Sequence, residues 1–446
     1  MVSGLVRIKA TYTVRPAKAT PNGLMRLSDV DQVRAVTHAP TVYFYDNPGD
    51  FASNVNVIKD SLSKALVAFY PLAGRLQWIA GGRLELDCNP VGAKVTVAES
   101  DSKIRDFGDF GPTPQLEILI PHIDYTAPIH EIPLMLVQVT RFSCGGICIG
   151  LAISHVIVDG HSALYFITEW AKIARGEQSE NLSPYLDRTI LLAKQPLRPP
   201  KFDHPEFEPP PRLIGSFDDS EERKKETTVA MLNLTKEQIK KLRNKANEAR
   251  TSDLYSRYEA VVGHMWRCAS KARGHASEQV TTQSIIVDFR ARMEPPMPQL
   301  FFGNAISRVI AKATSGELVS KPLCFASGKI REAIEQVTEE YVRSSLDFVG
   351  GQENVFQYRT SHTVGCPAQG TYFWNPNMEI TSWAGLPLYD ADFGWGKEMY
   401  MGPGAIGYDG KAFILPGHDQ DGSFSIALRL QVAHMGAFKK FFYEDI

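Results

Sequence analysis

No sign of charge prevails in this chain. Its 48 lysines and arginines meet 50 aspartates and glutamates, for a formal net charge of -2. No overall field therefore draws it to nucleic acid or to an anionic membrane, and recognition has to be local. Cysteine is scarce, and Cys88, Cys144, Cys148, Cys268, Cys324 and Cys366 show no Cys-x-x-Cys spacing. That argues against a zinc site or a disulfide framework and leaves reduced, structural thiols as the expectation. Long apolar runs are missing as well: none approaches a membrane span, and Met1 to Arg7 lacks the apolar stretch of a secretory leader. These absences predict a soluble, cytoplasmic monomer with no nucleic-acid or membrane partner.

What is present is a large apolar fraction, 43% of 446 residues, enough to fill more than one hydrophobic centre. The stretch 195–226 gathers Pro196, Pro199, Pro200, Pro205, Pro209, Pro210 and Pro211, then a charged run from Asp218 to Glu226. Such a segment continues neither a helix nor an interior strand, so it reads as a long crossover. We expect an N-terminal domain over 1–194, the crossover over 195–226 and a C-terminal domain over 227–446. Before the crossover, helical periodicity covers Val55 to Leu66 and Ser162 to Ala174. Strand patterns cover Thr41 to Tyr45, Leu84 to Leu86, Lys94 to Val97, Leu134 to Val139 and Ile147 to Ser154. After it, Thr235 with Gln238 forms a capping box, and strands recur at Gln283 to Val287, Ala305 to Ile310 and Ser423 to Val432. The fold class is mixed α/β in both halves, with no internal repeat.

His155-Val156-Ile157-Val158-Asp159-Gly160 lies where the strand-like run gives way to the helix-like one. A stiff β-branched backbone there would hold an imidazole at a strand end, where a general base belongs. A short His-x-x-x-Asp also arises as a core histidine beside a turn aspartate. Metal binding by His155, Asp159 and His161 would need helical i, i+4 ligands, and Val156 to Val158 followed by Gly160 argues against a helix. Gly160-His161-Ser162-Ala163-Leu164 nearly matches a nucleophile elbow, but Leu164 replaces its last glycine.

Asp392-Phe393-Gly394-Trp395-Gly396 and the glycines at 402, 404 and 407 imitate kinase and dinucleotide motifs. A kinase places its glycine loop before Asp-Phe-Gly and carries a His-Arg-Asp loop, and this chain does neither. The plain reading is a glycine-bent loop in which Phe393 and Trp395 pack and Asp392 accepts backbone or arginine hydrogen bonds.

The two clusters together, in this order and at these places, resemble the BAHD acyltransferases of plants, which use coenzyme A thioesters. Phe69 to Leu76, Asp288 to Pro296 and Phe302-Gly303-Asn304 are similar to that family too. At closer range the chain resembles the hydroxycinnamoyltransferase group, and Thr37 to Tyr45 and Gln431 to Ile446 look most like its spermidine-acylating members. The resemblance implies two chloramphenicol-acetyltransferase-like domains around a channel, with a coenzyme A thioester as cosubstrate and no tightly bound cofactor or metal. It implies His155 as base, Asp159 paired with Arg290 in a structural role beside Gly160, and Asp392, Gly394 and Gly396 in a loop across the interface. Asp392 is at times counted catalytic in the family. Trp395 would stand near the acyl carbonyl as an oxyanion donor. Ser256, Arg257, Arg290 and Arg292 are candidate coenzyme contacts, each equally readable as a surface or structural residue.

For the acceptor, His38 and the segment Ser382-Trp383-Ala384-Gly385-Leu386-Pro387 matter. Shikimate-using relatives carry arginine where this chain has Gly385, and Ala39 stands where a threonine hydroxyl follows the histidine. A polyamine acceptor is therefore expected, with Glu379, Asp390 or Asp392 meeting its charge. O-acylation of a shikimate- or quinate-type alcohol is the alternative, and a noncatalytic small-molecule binding protein is the alternative outside enzymes.

Overall fold

The computed structural model describes residues 6–46, 48–177, 182–218, 220–359, 375–418 and 421–446; Cys366 lies outside them. Two six-stranded mixed sheets carry the architecture. In the first, the spatial order is Val6–Val14, Ala93–Ser100, Met135–Phe142, Ile147–Ser154, His38–Tyr45 and Tyr400–Pro403. Only the pair Ala93–Ser100 and Met135–Phe142 runs parallel there. In the second, the order is Ile306–Thr314, Val280–Asp288, Met378–Ser382, Lys411–Pro416, Phe424–Gln431 and Thr227–Leu234. Met378–Ser382 pairs in parallel with both neighbours. A small sheet of Leu24–Arg26, Arg83–Asp87 and Arg75–Ile79 stands apart.

Helices follow their caps. Asp50 accepts from the Ser53 amide at the head of Phe51–Ala68, and Thr235 and Gln238 complete both halves of the box ahead of Lys236–Ala246. No helix among the described residues is long and apolar enough to cross a membrane.

The sheets do not divide where the crossover does. Tyr400–Pro403, from the expected C-terminal domain, pairs antiparallel with His38–Tyr45, placing Tyr400 opposite Phe44 and Pro403 opposite Thr41. A sheet edge leaves backbone groups to be paired, and here the return of the chain covers it. Tyr400 also stacks on Phe110 at 4.5 Å. Phe302 and Phe393 likewise belong to the hydrophobic core of the first sheet, beside Phe69, Phe166 and Trp170. The 1–194 and 227–446 segments are therefore interlocked.

Every residue of Ile147–Ser154 is buried, which explains its unbroken apolar pattern. Gly150 permits the chain at Leu119 to lie directly on that strand: a Cβ there would come within 2.0 Å of the Leu119 carbonyl oxygen. Gly150→Ala is expected to destabilise the protein by about 1–3 kcal/mol, the usual range for overpacking, read as a lower thermal midpoint. An unchanged midpoint would mean that the Leu119 segment shifts without cost.

Candidate active site

His155 follows the last residue of the central strand, and its position is fixed through the main chain. Its amide donates to the Thr37 carbonyl at 2.8 Å. Asn304 Nδ2 donates to the carbonyls of His155 and Val156, both at 3.1 Å, and to Asp31 Oδ1 at 2.8 Å. Arg188, fully buried, donates from Nη2 to the Ile157 carbonyl at 2.8 Å and from Nη1 to Asp31 Oδ2 at 2.9 Å. Buried carbonyls need such partners, and the loop obtains them from segments on both sides of the crossover. Sequence reasoning missed Asp31, Arg188 and Asn304 as supports of this loop; Asn304 was marked only by its family-like segment, and nothing along the chain sets Asp31 or Arg188 apart from their polar neighbours.

The loop ends at Asp159, which caps the helix Gly160–Ala174 by accepting from the Ser162 amide at 3.0 Å. Its other oxygen accepts from the Ala305 amide at 2.9 Å and lies 2.8 Å from Arg290 Nη2. Burial by itself would raise this carboxyl, but Arg290 and the two amides hold it below the ordinary carboxylate range. Arg290 also pairs with Asp288 at 2.7 Å and donates to Ser162 Oγ at 3.0 Å. Ser162 Oγ in turn donates to the Gly303 carbonyl at 2.8 Å. That hydroxyl is buried and engaged, which removes the nucleophile-elbow alternative. Among the described residues no three His, Cys, Asp or Glu side chains gather as metal ligands.

The His155 ring faces a cavity of about 1120 Å³ bordered by both sheets. Its Nδ1 is sealed from solvent without a hydrogen-bond partner in another described residue, so Nε2 is the nitrogen presented to the cavity. Burial first, then the positive charges of Arg34 and Lys411, hold the imidazole below its ordinary pKa. A neutral ring with an open Nε2 lone pair can take a proton at neutral pH. His38 borders the same cavity but is saturated: Tyr125 O–H serves Nδ1 at 3.0 Å, and Nε2–H serves the Pro133 carbonyl at 2.8 Å. Burial drives it down to about 4. It is a neutral strut, with no valence left for an acceptor.

The glycine loop folds as its plain reading expects. Asp392 Oδ1 accepts from the amides of Gly394 at 2.8 Å and Gly396 at 3.0 Å, and both glycines have positive φ, 107° and 99°. The Asp392 carbonyl accepts from Arg175. Trp395 lies edge-on to Tyr45 at 5.7 Å, and Phe393 packs on Trp170 at 4.8 Å. Neither Asp392 nor Trp395 borders the cavity that His155 faces. Asp392 is therefore a loop-forming residue, and the Trp395 indole N–H is buried off the cavity wall without a hydrogen-bond partner among the described residues.

The expected coenzyme contacts have other partners. Ser256 caps the helix Arg257–Arg273 through a box with Glu259, Arg257 donates to the Gly422 carbonyl at 3.3 Å, and Arg292 donates to the carbonyls of Ile334 and Val337. None of the three borders the cavity. Of the expected acceptor residues, Gly385 and Asp390 are exposed and outside the cavity wall. Glu379 does border it, but accepts from Lys411 and pairs with Arg308 at 3.4 Å. Lys411 also donates to Thr381 Oγ1 at 2.8 Å. Trp383, packed on Phe413 at 4.9 Å, forms an aromatic part of the wall.

Comparison with known proteins agrees over the whole chain. The Transferase family model matches residues 5–445. Hydroxycinnamoyl-CoA:piscidic acid hydroxycinnamoyltransferase of Actaea racemosa is 49% identical, covering 99% of this chain and 100% of the relative. Shikimate O-hydroxycinnamoyltransferase of Nicotiana tabacum is 41% identical, covering 98% and 99%. Among solved structures, vinorine synthase superposes with a TM-score of 0.73 at 22% identity, over 97% of this chain and 96% of that one, a likeness of fold.

The geometry around Asp159 makes a stability prediction. In Asp159→Asn the part-buried guanidinium of Arg290 loses the buried one of its two carboxylate partners, at a cost of up to roughly 3–5 kcal/mol. Denaturant titration measures it. An unaltered midpoint would mean that Asp288 alone satisfies Arg290.

Proposed function

The chain belongs to the Transferase family, the BAHD acyltransferases, and is a coenzyme A-dependent acyltransferase; from that premise we propose that it moves a hydroxycinnamoyl group from its coenzyme A thioester to the hydroxyl of a small acceptor. The observation that carries this reading is the His155 imidazole, neutral and open at Nε2 inside a cavity walled partly by Trp383 and Phe413. Nε2 takes the proton of the acceptor hydroxyl as its oxygen attacks the thioester carbonyl. The tetrahedral oxyanion then collapses, the carbon–sulfur bond breaks, and the imidazolium returns the proton to the departing thiolate. Asp159 remains paired with Arg290 throughout and relays nothing. Thr381 borders the cavity, and its Oγ1 accepts from Lys411 while its own hydroxyl proton is not used in that bond, so we assign it the oxyanion's hydrogen bond in place of Trp395.

The polyamine acceptor suggested by the chain ends gains no support. Asp390 and Asp392 stand off the cavity, and Glu379 is engaged by two cations. A polycation would enter beside Arg34, Arg308 and Lys411, like charges that disfavour it. O-acylation is accordingly the reading we adopt.

His155→Ala is expected to lower turnover by a factor of about 100 to 10,000 with the fold retained. In the wild type, kcat/KM falls as protons occupy His155, so the acidic limb has its midpoint below the ordinary histidine value of about 6.5. Near-normal turnover in the variant, or a limb well above that value, would remove His155 as base. With p-coumaroyl-CoA and a thiol reagent, shikimate is expected to release free coenzyme A where spermidine does not. The reverse preference would return the assignment to N-acylation, and release with neither would point to an acceptor other than these two.

A further inference from the structure

The acyl-transfer site leaves one buried carboxyl unused. Glu398 stands between the glycine loop Asp392 to Gly396 and the strand Tyr400–Pro403, is 3% exposed, and does not border the cavity. Neither of its oxygens has a hydrogen-bond partner among the described residues. The amides of Ala391 and of Glu398 itself lie close enough to favour a charge there, yet fall short of hydrogen-bond geometry.

The surroundings offer little more to a negative charge. Tyr43 and Tyr45 face it from the strand His38–Tyr45, and Tyr389 faces it from its own stretch of chain; all three are buried. Tyr43 Oη is likewise sealed from water without a partner among the described residues. Asp390 repels a second carboxylate, and Lys397, which attracts one, is exposed to water. Arg175, from the helix Gly160–Ala174, is held by Glu177 and by the Asp392 carbonyl. Burial therefore prevails, and Glu398 is pushed up to about 7.

Its position gives that proton a consequence. The Met399 amide donates to the Phe44 carbonyl at 2.8 Å, and the strand that follows sets Met401 opposite Tyr43. Both Met401 and Tyr43 border the cavity that His155 faces. On the other side Tyr45 Oη donates to the Ala391 carbonyl at 2.6 Å, which ties the head of the glycine loop to the same strand. Glu398 thus lies in the seam by which the later half of the chain closes the first sheet. A charge arising there needs water, and only a parting of the seam admits it.

We propose that Glu398 is a proton-operated lock: with its proton it lets the glycine loop and Tyr400–Pro403 close on the first sheet, and without it the seam loosens, and the cavity wall at Tyr43 and Met401 loosens with it. Glu398 is a positioning residue, since it stands behind the wall. The unfolded chain releases this proton near the ordinary value of 4.5, the folded protein near 7. Between those values only the folded state holds the proton, so stability falls as pH rises across that window and levels off above it.

The test compares the wild type with Glu398→Gln and Glu398→Met, two neutral side chains of similar length, so that the His155 limb and other titrations cancel. The thermal midpoint of each variant minus that of the wild type is expected to be least near about pH 5, to grow through about pH 7 and then to flatten. With p-coumaroyl-CoA and shikimate, kcat/KM of the wild type relative to the variants is expected to fall above neutrality, by at most about tenfold per pH unit, the slope of one ionisation. A midpoint difference that stays constant from about pH 5 to about pH 8 would overturn the lock. So would a difference that grows while the kinetic ratio stays flat, because the seam would then not reach the cavity, and so would failure of both neutral variants to fold. The midpoints need no acceptor, so a protein that ignores shikimate loses the acceptor reading alone and the lock is decided by stability.

Discussion

The carboxylate of Asp159 is the joint on which the site depends. One oxygen starts the helix after the histidine loop by accepting from Ser162; the other accepts from Ala305, and Arg290 reaches both. A buried charge survives only when paired and hydrogen-bonded, and here the pairing partner belongs to the opposite half of the chain. The aim of His155 is therefore a property of the interface between halves. Asn304, next to Ala305, adds its amide to the carbonyls of His155 and Val156. One short segment, Gly303 to Ala305, thus holds the base at its own main chain and at its capping aspartate.

Much of the scaffold was legible because it rests on local rules. Ile147 to Ser154 is apolar at every position because both faces are covered, and Thr235 with Gln238 announces a helix through two side-chain to backbone bonds three residues apart. The pairing of Asp159 with Arg290 was legible only through family resemblance, since 131 residues separate them and no spacing rule connects them. Tyr400–Pro403 carried no strand signal: four residues in a glycine- and proline-rich stretch form a strand only because the Thr41 to Phe44 edge is waiting. Trp395 illustrates a different blindness. An aromatic residue in a glycine loop reads equally as a cavity wall or as packing, and the Asp392 bonds to Gly394 and Gly396 turn it onto Tyr45.

Glu379 shows why charge is the hardest feature to read along a chain. Taken with Asp390 it resembled an acidic patch fit for a cation. Folding brings Lys411 alongside it as the neighbour in a parallel strand pair, Glu379 opposite Lys411, and Arg308 across the next strand. The local sign inverts. Two of the residues responsible, Arg308 and Lys411, sit in strand patterns where a single cation looks like an outward-facing side chain, and nothing in either strand alone marks the cavity face.

The same inversion bears on the base. Burial first, then Arg34 and Lys411, lower the affinity of His155 for a proton, while Asp159 raises it. The ring is thereby kept neutral, ready to accept a proton. Neither cation is near His155 in the sequence: Arg34 follows the short helix Asp29–Gln32 and Lys411 opens a strand of the second sheet. The protonation state of the base is thus set, like its aim, by segments from both halves of the chain, and a change at either cation would reach the proton transfer without touching the imidazole.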